Sequence, residues 1–416
     1  MKVLILTASA GNGHNSASKR LKEKILENNP NSQVEIVDTY KEYASFIKEW
    51  LQTKGYLFVC NHAVSLYNFF FKKTETTDFS NPDKNHVNKN SYPLMFGILN
   101  KIISFKPDLI FSTYIYNSVA LANLKRVFNI PAKIASLTLD YGISPYWECI
   151  AKQTDYMFLT NDYMIKPFLD RGFDKSKLFV TGIPVSSAFE HLMSKQDARE
   201  KLNLDPNLFT LLVMKAGFFG ISEKNLIKNF SKINTKIQII IVNGNNAKSK
   251  NKLDKLIKKF SLKHNIVNLG FINEITNYFA CCDCVLGKAG GLTTTETINS
   301  LKPSLIINNL PMQEIYNKQF MISNKCAISV DKSNIFTEIN NLINNPSSLD
   351  QMAENNKKIR IENSIDKIYS VISTIKTAGY TNFITTTPKK HTLIKMVNKQ
   401  RKLQVKINKQ NKKSHK

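Results

Sequence analysis

Short runs of β-branched and aliphatic residues alternate with amphipathic stretches along most of the chain, and this alternation most limits the possible folds. Six such runs lie in the first half: KVLILTAS, VEIVDTY, PDLIFSTY, KIASLTLD, YMFLTN and LFVTGIP. Six more lie in the second half: LFTLLVMKAG, IQIIIVNG, IVNLGF, CVLGKAGG, PSLIINN and AISV. Strands that alternate with helices form parallel sheets covered on both faces. We therefore predict an α/β protein with two Rossmann-like, doubly wound domains that face a central cleft.

The length of the chain, 416 residues, also favours two domains, because a single core rarely grows beyond about 250–300 residues. A polar helical stretch, MSKQDAREKLNLDPN, separates the two groups of runs. The sequence thus predicts a first domain over 1–195, a second over 196–375, and a flexible basic tail over 376–416. After the first run, Ala17, Leu21 and Ile25 recur every four residues, as in a helix with one buried face.

The formal net charge of +26 is unusual for a chain with 42% hydrophobic residues. It indicates an acidic partner: nucleic acid, an anionic membrane surface or a phosphorylated ligand. Eleven basic residues and no acidic residue follow Pro388, namely Lys389, Lys390, Lys395, Lys399, Arg401, Lys402, Lys406, Lys409, Lys412, Lys413 and Lys416. No run approaches the ~18 apolar residues of a membrane span, and the N-terminus lacks a signal-peptide pattern.

The six cysteines are irregularly spaced, which does not indicate a disulfide framework and favours a reduced, cytoplasmic protein. Cys281, Cys282 and Cys284 lie in the run CCDC, but the second ligand pair of a zinc site is missing. We interpret this run as a buried helix end that enters a strand, and we expect neither a metal nor a cofactor.

The segment GKAGGLTTTE is a candidate anion site, because ligands of open α/β sheets bind beyond the carboxyl ends of the strands. Gly290 and Gly291 leave the backbone N–H groups of a following helix open to a diphosphate. Glu296 follows closely and can accept hydrogen bonds from a ribose diol. The alternative is a plain glycine turn in which the threonines Thr293 to Thr295 cap the helix.

The N-terminal loop TASAGNGHNSA combines glycines with one imidazole, His14, beyond the first predicted strand. An ordinary imidazole pKa of ~6.5 suits a general base. The alternative is a histidine that only forms local hydrogen bonds at the start of a helix. Asp140 ends another strand on the same rim, where it either orients His14 or an acceptor, or caps the next turn.

The segment from Gly287 to Met321, GKAGGLTTTETINSLKPSLIINNLPMQEIYNKQFM, resembles the donor-site signature of glycosyltransferase family 28, which has the GT-B fold. Four further motifs, TASAGNGHNSA, YNFFFKKT, LTLDYGISPYW and VTGIPV, resemble the group of monogalactosyldiacylglycerol synthases and bacterial processive diacylglycerol glucosyltransferases. The resemblance extends over roughly residues 1 to 375.

This resemblance implies a UDP-sugar site in the second domain. Its residues would be Gly217, Asn246, Gly270, Phe271, Gly290, Gly291, Leu292, Thr293, Glu296, Gln313, Glu314 and Asn317. The segment from Gly291 to Thr293 would hold the diphosphate and Glu296 the ribose. Gly270 and Phe271 would line the uracil pocket through their backbone, and the last three residues of the list would contact the sugar and neighbouring groups.

The resemblance also implies that His14 is a candidate general base, and we expect further residues on the acceptor side. These are Gly11, Gly13, Tyr141 and Trp147. The chain departs from the family pattern at Ser144, where a histidine is usual and where serine cannot act as a base. The loop MKAGFFG keeps only two glycines, Gly217 and Gly220.

The resemblance implies an inverting transferase that moves a hexose from UDP-glucose or UDP-galactose to diacylglycerol and needs no metal. Such an enzyme would lie peripherally on the inner face of the plasma membrane, with no nucleic acid as partner. One alternative is a polyprenyl-linked acceptor. Another is a nonenzymatic basic protein that binds membrane or RNA.

Two segments are candidates for membrane contact. The basic tail would be attracted to anionic lipid, and Leu393, Ile394, Met396 and Val397 would give it a small apolar, interfacial face. A disordered solubilising extension or a nucleic-acid arm is the alternative for the tail. The run Phe69 to Phe71, followed by two lysines, either inserts at the headgroups or packs in the core.

Overall fold

A computed structural model of the chain describes residues 1–9, 12–45, 50, 55, 58–59, 63–75, 86–215, 220–308 and 310–414. By its internal contacts the chain divides into two compact units. Unit 1 consists of Met1–Tyr56, Phe69–Pro184 and Asn363–Lys416, and unit 2 consists of Leu57–Asn68 and Val185–Glu362. The division thus lies earlier than residue 195, and the C-terminal residues belong with unit 1.

The elements alternate as the sequence predicts. Up to Val180 they are β1 (Lys2–Thr7), α1 (Asn12–Asn28), β2 (Gln33–Asp38), α2 (Thr39–Tyr43), α3 (Val64–Glu75), α4 (His86–Phe105), β3 (Leu109–Ser112), α5 (Ile115–Val127), β4 (Lys133–Leu137), β5 (Tyr156–Leu159), α6 (Ile165–Asp170) and β6 (Leu178–Val180). After it they are α7 (Lys195–Lys201), β7 (Thr210–Met214), α8 (Glu223–Phe230), β8 (Gln238–Val242), α9 (Ala247–Phe260), β9 (Asn265–Leu269), α10 (Ile275–Cys281), β10 (Cys284–Gly287), α11 (Gly291–Asn299), β11 (Ser304–Ile307), α12 (Met312–Ser323), β12 (Ala327–Val330), α13 (Ile335–Asn344), α14 (Pro346–Ile359), α15 (Ser364–Ile372) and α16 (Lys390–Ser414).

Each unit contains one six-stranded sheet in which the paired strands are parallel. The strand order is β2-β1-β3-β4-β5-β6 in unit 1 and β12-β11-β10-β7-β8-β9 in unit 2. All twelve strands coincide with the apolar runs, so the prediction of two doubly wound sheets is confirmed. The order reverses between β1 and β3 in unit 1 and between β7 and β10 in unit 2, and ligands of this fold class bind at such switch points.

The sheet of unit 1 is covered on both faces, because alternate side chains of β1 pack in two different hydrophobic clusters. Leu4 and Leu6 pack in a cluster with residues of α4 and α5. Val3 and Ile5 point to the opposite face, where Leu21 of α1 lies with residues of α15. Because successive side chains of a strand alternate between faces, a strand buried on both sides must be apolar throughout, as β1 is.

A buried ion-pair network fastens α7 to the sheet of unit 2. The Arg199 guanidinium lies 2.8 Å from Asp283 Oδ2 and donates from Nε to the carbonyl of Cys281 over 3.1 Å. Asp283 also accepts from the backbone N–H of Thr210, the first residue of β7, over 2.7 Å. These bonds satisfy a guanidinium that is almost completely buried, which would otherwise be costly.

The C-terminal helix α16 is part of the hydrophobic core of unit 1. Leu393 and Val397 are 1% exposed and lie in one cluster with residues of α4 and α5, and Ile394 and Met396 pack against the same cluster. Tyr92 of α4 donates to Asn398 Oδ1 over 2.6 Å. The apolar face predicted to enter the membrane is therefore used in tertiary packing, which corrects the expectation of an interfacial helix. No described helix combines the length and apolar character needed to cross a membrane.

We predict that Leu393→Ala lowers the free energy of unfolding by about 2–5 kcal/mol, because it leaves a cavity in a core that includes α16. Leu403→Ala is the matched control, since Leu403 lies on the same helix and is 43% exposed; its expected effect is below about 0.5 kcal/mol. Urea unfolding of both variants measures this difference. Equal, negligible effects would mean that α16 does not pack on unit 1.

Candidate functional site

His14 lies in the first turn of α1, just beyond β1, and its ring reaches the segment that follows β3. Nδ1 lies 2.5 Å from the carbonyl oxygen of Thr113, and the ring meets the Tyr114 ring edge-on, with centroids 4.9 Å apart. Since β1 and β3 are the strands between which the order reverses, the imidazole lies at the switch point of unit 1.

The bond to Thr113 assigns the tautomer of His14. A carbonyl oxygen can only accept, so Nδ1 carries the proton and Nε2 keeps its lone pair. Among the described residues Nε2 has no hydrogen-bond partner. Burial lowers the pKa of His14, although the bond to Thr113 and the charge of Asp38 act against this shift. The imidazole is therefore neutral at pH 7 and can accept a proton at Nε2.

Side-chain hydroxyl groups close to His14 form hydrogen bonds that fix the backbone of the first turn of α1. Ser18 Oγ donates to the His14 carbonyl over 2.8 Å and lies 3.3 Å from Thr113 Oγ1. Thr7 Oγ1 donates to Asn15 Oδ1 over 2.9 Å. The sequence analysis did not assign these residues, although the run FSTY at the end of a strand carried the signal for Thr113.

The other acceptor-side predictions have different positions. Asp140 and Tyr141 follow β4 and are half-buried, and the Asp140 carbonyl accepts from Thr160 Oγ1 over 2.9 Å. Trp147 is only 6% exposed and packs against Phe168 in a core cluster. Ser144 caps the 3₁₀ helix Pro145–Ile150 by accepting from the N–H of Tyr146.

Of the two glycines before His14, the described one, Gly13, does not lie in the open turn that the sequence suggested. Gly13 is already helical as the second residue of α1. Gly11 lies outside the described residues.

In unit 2, the helix α11 begins directly beyond β10, and its cap residue is Gly290, which provides no side-chain cap. The threonines expected to cap the helix lie inside it. Thr294 and Thr295 are 4% exposed, and Thr295 Oγ1 donates back to the Gly291 carbonyl over 2.9 Å. Gly290 thus offers no side-chain hydrogen bond to the N–H groups of the first turn, which carry the positive end of the helix dipole.

An ion pair lies beside this helix start. Lys288 Nζ contacts Glu314 Oε1 of α12. A Cβ built on Gly290 would be 3.6 Å from that Oε1 and 3.8 Å from Lys288 Nζ, so the pair borders the glycine directly. Glu314 Oε2 is buried without a hydrogen-bond partner among the described residues. Lys288 was not among the predicted site residues, although its place in GKAGG was visible.

Asn317 supports the glycine loop from within the core of unit 2. Its side chain is fully buried and donates from Nδ2 to the Ala289 carbonyl over 2.8 Å, which ties α12 to the glycine loop. By contrast, Leu292, Thr293 and Glu296 on the outer side of α11 are half-buried and keep accessible surface. Glu296 is the sixth residue of the helix, one and a half turns from its start.

The remaining predicted donor residues are spread over other loops of unit 2. Asn246 is exposed and caps α9 by accepting from the N–H of Ser249 over 3.0 Å. Gly270 and Phe271 follow β9, and the Phe271 side chain is 63% exposed. Gln313 is half-buried in the first turn of α12. Gly217 lies outside the described residues.

Lys215 is a buried cation that lies directly beyond β7, at the switch point of unit 2. Its Nζ is 2.9 Å from Glu223 Oε1 and donates to Ser249 Oγ over 2.8 Å. Burial alone would raise the pKa of Glu223, but hydrogen bonds from Lys252 and Lys215 outweigh it and lower that pKa to about 2. The network holds together β7, α8 and α9.

The cysteines of the CCDC run are buried thiols. Burial raises the pKa of Cys281 to about 11 and that of Cys282 to about 12, so both are protonated at neutral pH. Within the part of the chain that the structure describes, no group of three or more His, Cys, Asp or Glu side chains could hold a metal ion.

Two protein families match different parts of the chain. The family model of monogalactosyldiacylglycerol (MGDG) synthase matches residues 14–185. The family model of UDP-N-acetylglucosamine 2-epimerase matches residues 148–373, slightly more than half of the chain.

Similar proteins and structures agree with these matches. A processive diacylglycerol beta-glucosyltransferase of Bacillus licheniformis is 27% identical over 380 residues, which are 89% of this chain and 94% of that protein. Acinetobacter baumannii MurG has a TM-score of 0.58 at 13% identity and covers 89% of this chain and 99% of its own. The UDP-GlcNAc 2-epimerase of Neisseria meningitidis, bound to UDP-GlcNAc, has a TM-score of 0.58 at 14% identity, over 90% of this chain and 100% of its own.

The solved structures establish the GT-B type of fold. The second half of the chain belongs to the domain family that the UDP-N-acetylglucosamine 2-epimerases define. The predicted resemblance to glycosyltransferase family 28, in the group of the monogalactosyldiacylglycerol synthases and the processive diacylglycerol glucosyltransferases, is confirmed by the family model over residues 14–185 and by the 27% identical relative.

Proposed function

We propose that the protein transfers a hexose from a UDP-sugar to diacylglycerol with inversion at the anomeric carbon. The observation that carries the proposal is the uncapped start of α11 at the switch point of unit 2, with a half-buried carboxylate, Glu296, farther along the helix. The names of the relatives supply the substrate classes.

On the donor side, three groups suit three parts of a UDP-sugar. The N–H groups of Gly291, Leu292 and Thr293 and the helix dipole stabilise the diphosphate, including the charge that develops as UDP leaves. Glu296 accepts hydrogen bonds from the ribose. The unpartnered Oε2 of Glu314 accepts from a sugar hydroxyl, while Lys288 beside it adds positive charge near the phosphates.

On the acceptor side, His14 removes the proton. Nε2 takes it from the free hydroxyl of diacylglycerol, whose oxygen then bonds to the anomeric carbon of the sugar. The bond from that carbon to the diphosphate oxygen breaks, and UDP leaves with the electron pair. One displacement converts an α-linked UDP-sugar into a β-glycoside.

The basic C-terminal helix supports membrane contact of a kind that does not require insertion. Lys395, Lys399 and Lys402 are exposed on the side of α16 opposite the buried Leu393 and Val397. Because the apolar face packs on unit 1, the lysines act as an electrostatic anchor for anionic lipid. In α3, Phe69 is 55% exposed while Phe71 is buried, so the aromatic run divides between surface and core. We infer a peripheral position on the inner face of the plasma membrane.

The proposal is tested with purified protein, vesicles that contain diacylglycerol or a polyprenyl-diphosphate lipid, and radiolabelled UDP-glucose, UDP-galactose or UDP-N-acetylglucosamine. The proposal expects label in a glycosylated diacylglycerol from UDP-glucose or UDP-galactose. Transfer only to the polyprenyl lipid would mean that the acceptor is a polyprenyl-linked lipid and not diacylglycerol. No transfer with any pair would contradict an enzymatic role.

UDP should stabilise the protein against heat, and Glu296→Gln should remove most of this effect because the ribose contact is lost. Stabilisation approaches about 2.7 kcal/mol when UDP is at 100 times its Kd. Glu274→Gln is the control, since the side chain of Glu274 is 74% exposed and lies in the same unit. Differential scanning fluorimetry at millimolar UDP measures the shift in Tm. If UDP raises the Tm of the Glu296→Gln variant as much as that of the wild type, Glu296 does not bind the ribose.

His14→Ala should lower kcat by about 10²–10⁴-fold and leave the UDP-induced Tm shift unchanged, because the imidazole serves the acceptor. His391→Ala, an exposed histidine of α16, is the control. Since burial lowers the pKa of His14, the wild-type rate should fall with acidification only below pH 6.5. A wild-type rate that already falls with acidification above pH 6.5 would contradict the role of His14 as general base. An equal loss of turnover and UDP binding in His14→Ala would also contradict it.

Replacing Lys395, Lys399 and Lys402 together with glutamine should weaken binding to phosphatidylglycerol vesicles by roughly 100-fold, at about 1 kcal/mol per lysine. The control is the same change at Lys255, Lys258 and Lys259, which are exposed on α9 and alter the net charge equally. Vesicle co-sedimentation at low and high salt measures both. Identical losses would show that only net charge matters.

A further inference from the structure

Asn68 is a polar residue in the buried face of α3. Val64, Asn68 and Phe71 recur at the spacing of one helix face, and the two apolar residues are 8% and 6% exposed. Leu66 and Phe69, by contrast, are more than half exposed. An apolar side chain at position 68 would complete the buried face, and Asn68 interrupts it.

The Asn68 amide joins α3 to the segment before α12, within unit 2. Its Nδ2 donates to the Leu310 carbonyl over 2.9 Å, across 242 positions of sequence. The other amide atom, Oδ1, is buried and has no hydrogen-bond partner among the described residues. A buried carbonyl oxygen without a partner costs at least as much free energy as one hydrogen bond typically returns. The amide therefore adds little to the stability of the fold, which favours a functional reason for it.

The bond from Asn68 fixes the direction in which α12 begins. The Leu310 carbonyl belongs to the planar peptide that ends at the Pro311 nitrogen, so holding its oxygen sets the plane of that peptide. Pro311 is the cap residue of α12 and provides no side-chain cap, and its carbonyl accepts from the N–H groups of Glu314 and Ile315 over 2.9 and 3.0 Å. The position of Glu314 thus depends on the peptide that Asn68 holds.

We propose that Asn68 is a positioning residue for the transferred hexose, because it holds the start of α12 where Glu314 meets a sugar hydroxyl. This inference rests on the proposed function and deepens it. Lys288 contacts Glu314 Oε1, and Oε2 is buried without a partner among the described residues. Binding groups must be held within about 0.5 Å of the productive geometry, so a small turn of α12 weakens the contact between Oε2 and the sugar.

The hexose and the nucleotide depend on different helices in this arrangement. The diphosphate and the ribose are assigned to α11, and the hexose is assigned to the first turn of α12. Since UDP lacks the hexose, loss of the Asn68 bond should weaken the binding of UDP-glucose and leave the binding of UDP unchanged. A residue that merely stabilises unit 2 would affect both ligands equally.

The test measures the Kd of UDP and of UDP-glucose by isothermal titration calorimetry, without a lipid acceptor. Asn68→Leu removes the donor, and Asn68→Asp replaces it with an oxygen that faces the Leu310 carbonyl. Both variants should bind UDP-glucose about three- to tenfold more weakly and UDP within about twofold of the wild type. Ser65→Ala is the control, since Ser65 is exposed on the same helix. Asn68→Leu should also keep the wild-type Tm within about 3 °C, because leucine suits the buried face of α3.

A wild-type ratio of the two Kd values in both variants would overturn the inference, and so would an equal weakening of UDP and UDP-glucose. A fall in Tm beyond about 3 °C in both variants would also overturn it, because Asn68 would then be needed for the fold itself. These results would leave the proposed function intact. If the wild type binds neither UDP nor UDP-glucose, the proposed function itself fails.

Discussion

The start of helix α11, with its N–H groups uncapped, is the feature on which this account depends. The cap residue, Gly290, has no side chain to satisfy the first donors of the helix, and an anion is a natural partner for them. Asn317 holds the loop from behind through the Ala289 carbonyl, and the Lys288–Glu314 ion pair borders it. These contacts fix the glycine loop that precedes the helix.

In both sheets, the candidate site residues lie at the point where the strand order reverses. In unit 1 the order reverses between β1 and β3, and His14 bonds to the residue that follows β3. In unit 2 it reverses between β7 and β10, where Lys215 and the glycine loop lie. Ligands of open parallel sheets bind beyond the carboxyl ends of the strands, so the chemistry is carried mainly by the loops and helix starts that follow.

The sequence predicted all twelve strands, because a strand buried on both faces must be apolar throughout. It also identified the glycine loop and His14, whose residue types are unusual after a strand. It did not reveal the Thr113 carbonyl, which lies 99 residues from His14, since long-range contacts leave no local pattern. Likewise, the apolar spacing of Leu393 and Val397 was visible, but only the fold shows that α4 and α5 cover it.

The most direct test of the central claim is an experimental structure of the protein with UDP bound. The account predicts that the diphosphate oxygens lie within hydrogen-bond distance of the N–H groups of Gly291, Leu292 or Thr293, with the ribose hydroxyls on Glu296. A UDP molecule bound elsewhere, or a diphosphate held by side chains away from α11, would contradict it.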